Sequence, residues 1–267
     1  MIALVTDSTA CLTQAEARSW NVFLVPHTYR LDGNLYTETF EGENGAYVSV
    51  LRGSREKISL QASEEHFYHL FRSLKRNGME VLCTVLSSRL SGAYSAAITA
   101  ARRVGEGIAV VDSQLTAGGL YLLISRMREE IDKNHLTLSE AAAVCERLRG
   151  RIGVAFSVEQ MDALRKSRRI GVVRQSVGSI LNRRPILLLR RGGIISCGLA
   201  RGWQEKSEQL AAQIPHDAER LVVQYYEKKK EAVQFASALK KKLCVPLILL
   251  REIGPVLSIH IGEDALA

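Results

Sequence analysis

Hydroxyl side chains crowd one short segment of this chain, Ser87-Ser88-Arg89-Leu90-Ser91-Gly92, which follows the apolar run Val81-Leu82-Cys83-Thr84-Val85-Leu86. The run has the length and β-branched content of a buried strand. Beyond the segment, Tyr94, Ile98 and Ala101 recur at helical spacing, with Ala97 and Val104 on the same side, so the hydroxyl-rich elbow joins a strand to a helix. Ser91 stands where an N-cap belongs, and Gly92 lets a neighbour approach the backbone closely. Hydroxyls, free backbone N–H groups and the positive end of a helix dipole together suit an anion, phosphate as readily as carboxylate.

Other residues could do chemistry, each with a plainer explanation beside it. Asp7 and Asp112 stand just past buried strands and could form an acid–base pair, although turn and capping roles explain them at least as well. His66 and His69 share a helix face at i, i+3, but no third ligand accompanies them and no metal is expected. His260 interrupts the apolar stretch Val256 to Ile261, which reads as a strand, and Gly262 follows it; a structural histidine and a functional one both fit. Arg201 opens a helix beside Gly202 and Trp203, where a surface arginine is the common case. Conventional signatures are missing: there is no G-x-S-x-G, no G-x-x-x-x-G-K-[ST], no G-x-G-x-x-G and no H-E-x-x-H, and Gly171 and Gly202 stand alone.

The elements that must position these residues alternate strand and helix through the first half. Ile2–Val5 reads as a strand before the polar turn Thr6-Asp7-Ser8-Thr9, and a helix follows over Thr13–Trp20. Val22–Val25 is a second strand, Tyr29–Tyr36 a hairpin turning at Asp32-Gly33, and Ala46–Leu51 a short helix. The loop Ser59–Ser63 leads to a helix ending near Asn77, with Ser63 at its start. After the elbow come the strand Ile108–Val111, a long amphipathic helix through Leu120, Leu123, Ile124, Met127 and Ile131, and a helix opened by the capping box Thr137–Glu140 and closed near Gly150. This half is expected to be a mostly parallel sheet covered on both faces. The second half mixes strand Ile152–Phe156, a helix opened by Ser157 with Gln160, a hairpin over Pro185–Leu199 turning at Gly192-Gly193, helices 204–214 and 231–243, and strands 221–225, 247–250 and 256–261. Two α/β lobes divided near residue 150 are expected, residues 1–150 and 151–267.

Composition limits the function classes. The chain has 267 residues, 46% of them hydrophobic and 24% charged, and no apolar run approaches the ~20 residues of a membrane span. Met1 leads directly into an apolar strand, so no signal peptide is expected. Five scattered cysteines in mostly apolar segments fit reduced, buried thiols in a cytoplasm rather than disulfides or a zinc cluster. The net charge of +8 is concentrated at Arg165–Arg169, Lys228–Lys230 and Lys240–Lys242. These runs lie far apart and no nucleic-acid-binding motif accompanies them, so solvated faces are expected, not a nucleic-acid site.

Taken jointly, six segments resemble the DegV family of fatty-acid-binding proteins, which includes the lipid-binding subunits of bacterial fatty acid kinase. Ile2–Ala10 is similar to the opening strand and TDSTA turn, Leu86–Tyr94 to SSxLSGTY, and Val110–Ser113 to (I/V)DS. Val158–Ile170 resembles VEDLxxLRKGGRI, Arg184–Leu187 resembles KPIL, and Ile259–Leu266 resembles HxGPGAL. The resemblance implies a two-lobe α/β protein that buries one long-chain fatty acid in an apolar tunnel and holds its carboxylate by hydroxyl and backbone donors. No other cofactor is implied. Carried over by position, the TSQPS loop falls on Ser59-Leu60-Gln61-Ala62-Ser63, with Ser59 at the carboxylate-binding threonine and Ser91 at the LSG serine, next to Gly92. Arg89 replaces a small residue and would add a cation near the carboxylate. Arg201 and His260 fall on positions that would support the head group or phosphoryl transfer, and Glu263-Asp264 replaces Pro-Gly beside His260.

The partner implied is a kinase subunit, with the chain itself a carrier without turnover; it has no stable membrane insertion, though transient contact with a membrane surface stays open. An acyl hydrolase or acyltransferase using Ser91 with His260 remains the alternative, and a nucleic-acid-binding regulator the weaker third.

Overall fold

The computed structural model describes residues 1–159, 161–167, 183–243, 245–262 and 264–267. The expected Ser157–Gln160 capping box, residues 168–171 of the basic segment and its glycine, Cys244 and Glu263 therefore lie, wholly or in part, outside the described residues.

The first strand, β1 (Ile2–Asp7), is buried along its whole length and runs two residues further than expected, because Thr6 and Asp7 continue the ladder with Leu24 and Val25. A 3-10 turn over Ser8–Ala10 follows, then α1 (Gln14–Ser19), capped by Thr13 and Glu16. The chain continues through β2 (Val22–Val25), β3 (Thr28–Leu31), β4 (Asn34–Thr37), α2 (Tyr47–Gly53), β5 (Lys57–Leu60) and α3 (Glu64–Arg76), whose N-cap is Ser63. Asp32 and Gly33 take positive φ, as a tight hairpin turn requires. Ser59 and Leu60, expected in a loop, belong to β5, which pairs antiparallel with β3. Next come β6 (Glu80–Val85), α4 (Ala93–Val104), β7 (Ile108–Asp112), α5 (Ala117–Asn134) and α6 (Leu138–Arg149), the last with its expected capping box.

Strands β2, β1, β6 and β7 form, in that order, a parallel sheet. Because side chains alternate along a strand, Ala3 and Val5 face one cluster with α3 and α4, while Ile2 and Leu4 face another with α5 and α6. The buried side of α4 differs from the one expected. Ala93, Ala96, Ala97 and Ala100 turn inward, with Tyr94, Ala101 and Val104 only partly covered, because small side chains let α3 approach closely.

Strand β8 (Ala155–Ser157) starts three residues later than the apolar pattern indicates, and α7 (Asp162–Lys166) follows. The hairpin of β9 (Arg183–Arg190) and β10 (Gly193–Arg201) turns at Arg191 and Gly192, both at positive φ. After it come α8 (Gly202–Ala211), β11 (Arg220–Tyr225), α9 (Lys229–Lys242), β12 (Leu247–Glu252) and α10 (Pro255–Ile261). Strands β8, β9 and β10 pair antiparallel and β11 with β12 parallel. Leu266 bridges Ser157 and Tyr225, so the C-terminal residues stitch the two sets together.

The strand expected at residues 256–261 is instead α10. Its apolar, β-branched composition favours a strand, but Gly254 and Pro255 begin a helix there, with proline's fixed φ at N1. The Glu38 carboxylate accepts the Val256 N–H at 3.0 Å and completes the start. Among the described residues, no helix is long and apolar enough to cross a membrane.

Candidate functional site

A cleft with about 850 Å³ of empty space, its solvent-open mouth included, lies where β5, the elbow, α10 and the tip of the β9–β10 hairpin converge. Its walls are Leu86, Leu90, Val154, Phe156, Leu164, Leu189, Ile194, Val256, Leu257 and Ile261, and its polar lining includes His27, Ser59, Gln61, Ser91, Thr116 and His260. The α5 face from Leu120 to Ile131, expected as tunnel wall, packs in the sheet's core; only the start of α5, at Ala117, reaches the cavity. An apolar enclosure with a few convergent polar groups suits an amphiphile with one polar end.

Ser59, at the end of β5, and His260, in the last turn of α10, meet with Oγ 2.5 Å from Nε2. Ser91 lines the same cavity, and its Oγ accepts the Ala93 N–H at 3.2 Å, leaving its hydroxyl hydrogen to donate. The N-cap of α4 is Gly92 rather than Ser91, since the Gly92 carbonyl accepts the Ala96 N–H at 3.0 Å and opens the helical ladder. Gly92 does admit a close neighbour: a Cβ there would stand 1.9 Å from Gln61 Oε1. That contact joins the segment after Ser59 to the segment carrying Ser91.

The elbow offers fewer free backbone donors than its sequence suggests. Leu86 N–H is donated to Asp7, Ser87 N–H to the Leu115 carbonyl, Ser88 N–H to Asp112, and Arg89 N–H to Ser87 Oγ. Leu90 and Ser91 both donate theirs to the Ser87 carbonyl. Hydroxyls and the imidazole therefore dominate the polar end of the cavity.

The two arginines are not among its lining residues. Arg89 is exposed; its guanidinium lies over Gly193 and donates to the Arg191 carbonyl at 3.4 Å, while Ser87 Oγ donates to the Gly192 carbonyl at 2.8 Å. These contacts dock the hairpin tip on the elbow. Arg201 is exposed at the far end of that hairpin, opposite Arg183, about 27 Å along the strand from Gly193 at ~3.4 Å per residue.

Asp7 and Asp112 form no pair, since β6 separates their strands. Asp112 accepts from Ser88 Oγ at 2.6 Å. Asp7 is fully buried and accepts Leu86 N–H at 2.6 Å and Thr9 N–H at 2.9 Å. Its other neighbour is buried His27, Nε2 to Oδ1 3.6 Å, whose Nδ1 lies 3.2 Å from the Leu60 carbonyl. Burial alone would push the Asp7 carboxyl up, but the His27 imidazolium and the Thr9 and Leu86 donors hold it below its ordinary value. Burial works against the His27 cation too, and Asp7 outweighs it, raising His27 above its ordinary value. Ser8 accepts the His27 main-chain N–H and donates to Glu38 at 2.5 Å; burial keeps the Glu38 carboxyl raised. Neither His27 nor Glu38 stands out in the sequence. The available signal was a histidine beside Pro26 at the end of a strand.

His66 lies in the first turn of α3, and His69 pairs with Glu65 at 3.6 Å on exposed helix surface; no metal-holding group occurs among the described residues. Cys11, Cys83 and Cys145 are buried free thiols, and Cys197 is exposed.

A family model described as "Uncharacterised protein, DegV family" matches residues 1–267. The chain is 26% identical over 273 residues to a DegV domain-containing protein of Caldanaerobacter subterraneus, covering 99% of this chain and 96% of that one. Among solved structures it is similar to a fatty-acid-binding DegV family protein of Thermus thermophilus, at 28% identity and TM-score 0.88, covering 99% and 97% of the two chains. It shares its fold with a DegV lipid-binding protein of Thermotoga maritima, at 24% identity and TM-score 0.89, covering 99% and 96%.

Proposed function

The chain belongs to the DegV family over residues 1–267, and on that premise we propose that it binds one long-chain fatty acid in the cavity between β5, the elbow and α10. The observation that carries this reading is an apolar cleft, about 850 Å³ with its open mouth included, whose polar lining gathers Ser59, Gln61, Ser91 and His260. Each buried CH₂ contributes ~0.8 kcal/mol, so a sixteen-carbon chain supplies roughly ten kcal/mol before the entropy cost of binding. The carboxylate needs donors once it leaves water. Ser59 and Ser91 supply them, Gly92 gives Gln61 room beside them, and His260 orients Ser59.

The chain acts as a carrier that presents the carboxylate to a separate kinase subunit in the cytoplasm. Arg89, on the outer side of the elbow, and Arg201, at the start of α8, are assigned to that encounter rather than to the cavity. Lipid extraction and native mass spectrometry of protein purified from cells test the first step. An acyl chain is expected to co-purify; if none does and none can be loaded, the reading fails. Incubation of the loaded protein with a fatty acid kinase subunit and ATP, read as acyl phosphate, tests the second.

The 2.5 Å contact of Ser59 with His260 favours a second reading, an acyl hydrolase in which Ser59, not Ser91, is the nucleophile. Turnover of acyl esters by the isolated chain, abolished by Ser59→Ala, would establish it. The absence of turnover leaves the carrier.

A further inference from the structure

The three elements that carry the polar end of the cavity are held by one buried cluster. Asp7 accepts the N–H of Leu86, where the elbow bearing Ser91 begins. His27 Nδ1 meets the carbonyl of Leu60, the residue after Ser59. Glu38, joined to His27 through Ser8, accepts the Val256 N–H at the start of α10, whose last turn carries His260. Asp7, His27 and Glu38 are each 2% exposed or less.

The chemistry of the ring decides its charge. The Leu60 carbonyl can only accept, so Nδ1 must carry a proton; the buried Asp7 carboxylate lies 3.6 Å from Nε2, beyond hydrogen-bond length, and favours a cationic ring by charge attraction. A neutral ring with its proton on Nδ1 keeps the Leu60 bond, and only the imidazolium adds the ion pair with Asp7. The charged groups that face the ring are Asp7 from β1 and Glu38 from the segment after β4. His27 lines the cavity and Asp7 does not, so the cationic end of the pair is the one turned to the ligand.

We propose that His27 is a positioning residue of the carboxylate clamp, holding the Ser59 strand end and the Ser91 elbow to one buried carboxylate only while it is an imidazolium. When the ring loses a proton it keeps Nδ1–H for Leu60 and loses its attraction to Asp7, so the strand end is no longer drawn to the carboxylate that holds the elbow. Grip on a carboxylate then weakens as pH rises, while the apolar walls keep their hold on the acyl chain. This inference rests on the fatty-acid reading and deepens it.

The test compares hexadecanoic acid with hexadecan-1-ol, which has the same chain without the charge, by displacement of a fluorescent fatty acid from wild type and His27→Gln across about pH 6–9. Wild-type affinity for the acid is expected to fall as pH rises through the His27 titration. His27→Gln is expected to bind the acid about tenfold more weakly at the acid end, with the pH dependence lost in difference from wild type and with binding of the alcohol unchanged. His260 is present in both proteins, so its contribution cancels in that difference. Wild-type affinity and pH profile in a folded His27→Gln, or equal loss of acid and alcohol, overturns the role of His27. Binding of neither ligand by wild type overturns the fatty-acid reading and the clamp with it. Should the variant not fold, nitrogen chemical shifts of His27 in the wild-type chain decide: two protonated ring nitrogens at neutral pH support the proposal, and a neutral ring overturns it.

Discussion

Ser59 Oγ and His260 Nε2 lie 2.5 Å apart, although 201 residues separate them in the chain. The contact joins an antiparallel strand of the first half to the last helix, across the cavity's polar end. A bond between elements so distant exists only when both are seated, so it reports on whether the cavity is formed.

Ser59→Ala removes one carboxylate donor and the partner of His260. Affinity for hexadecanoic acid is expected to fall about tenfold, with circular dichroism unchanged. His260→Gln should cost much of the same, and the double variant less than the sum, because the two side chains act as one unit. Strict additivity in a titration calorimetry cycle would show that they do not.

Gly92→Ala places a methyl where Gln61 Oε1 now sits, at 1.9 Å. The φ of −76° suits alanine, and Gln61 can rotate away, so stability should change by less than about 1 kcal/mol. Fatty-acid affinity should drop roughly fivefold as Gln61 moves into the head-group space. A matched melting curve with unchanged binding would show that Gln61 takes no part in binding.

Ala265→Leu adds volume at a buried position in the cavity wall. The accepted chain is expected to shorten by about two methylenes, lowering affinity for the original ligand about tenfold at ~0.8 kcal/mol each. Mass spectrometry of co-purified lipids reads the shift directly.

Arg251 on β12 pairs with Glu16 and, at 3.4 Å, with Glu41, and lies over the Tyr121 ring. Its side chain is 16% exposed, so removing it strands two poorly solvated carboxylates. Arg251→Met is expected to destabilise the protein by about 2 kcal/mol, read as a lower midpoint in urea.

Stability should also depend on pH with a defined sign. Asp7 has a native value below its ordinary 3.8, so its contribution is present above that and lost as pH falls through the native value. His27 has a native value above its ordinary 6.5, so its contribution is present below that and lost as pH rises through the native value. Glu38 is also raised, so its contribution is present below 4.5 and lost as pH rises from there through its native value. Melting temperature should therefore decline above about pH 6.5 in wild type, and less steeply in His27→Gln.

Local chemistry was enough to place most elements. Thr137 with Glu140, and Ser63, each announced a helix start that backbone N–H groups require. The apolar runs at Ile2 and Val81 could only be buried strands, and the alternation around them implied a parallel sheet. Segment order carried the family and pointed to Ser59, Ser91 and His260, which line one cavity. What the sequence could not decide was whatever depends on distant partners. Residues 256–261 have strand composition and become a helix because Glu38, more than two hundred residues away, receives the Val256 N–H. Arg89 turned to the hairpin tip because Gly193 leaves room for its guanidinium. His27 stands between Asp7 and the Leu60 carbonyl, neighbours that only the assembled sheet brings to its two nitrogens.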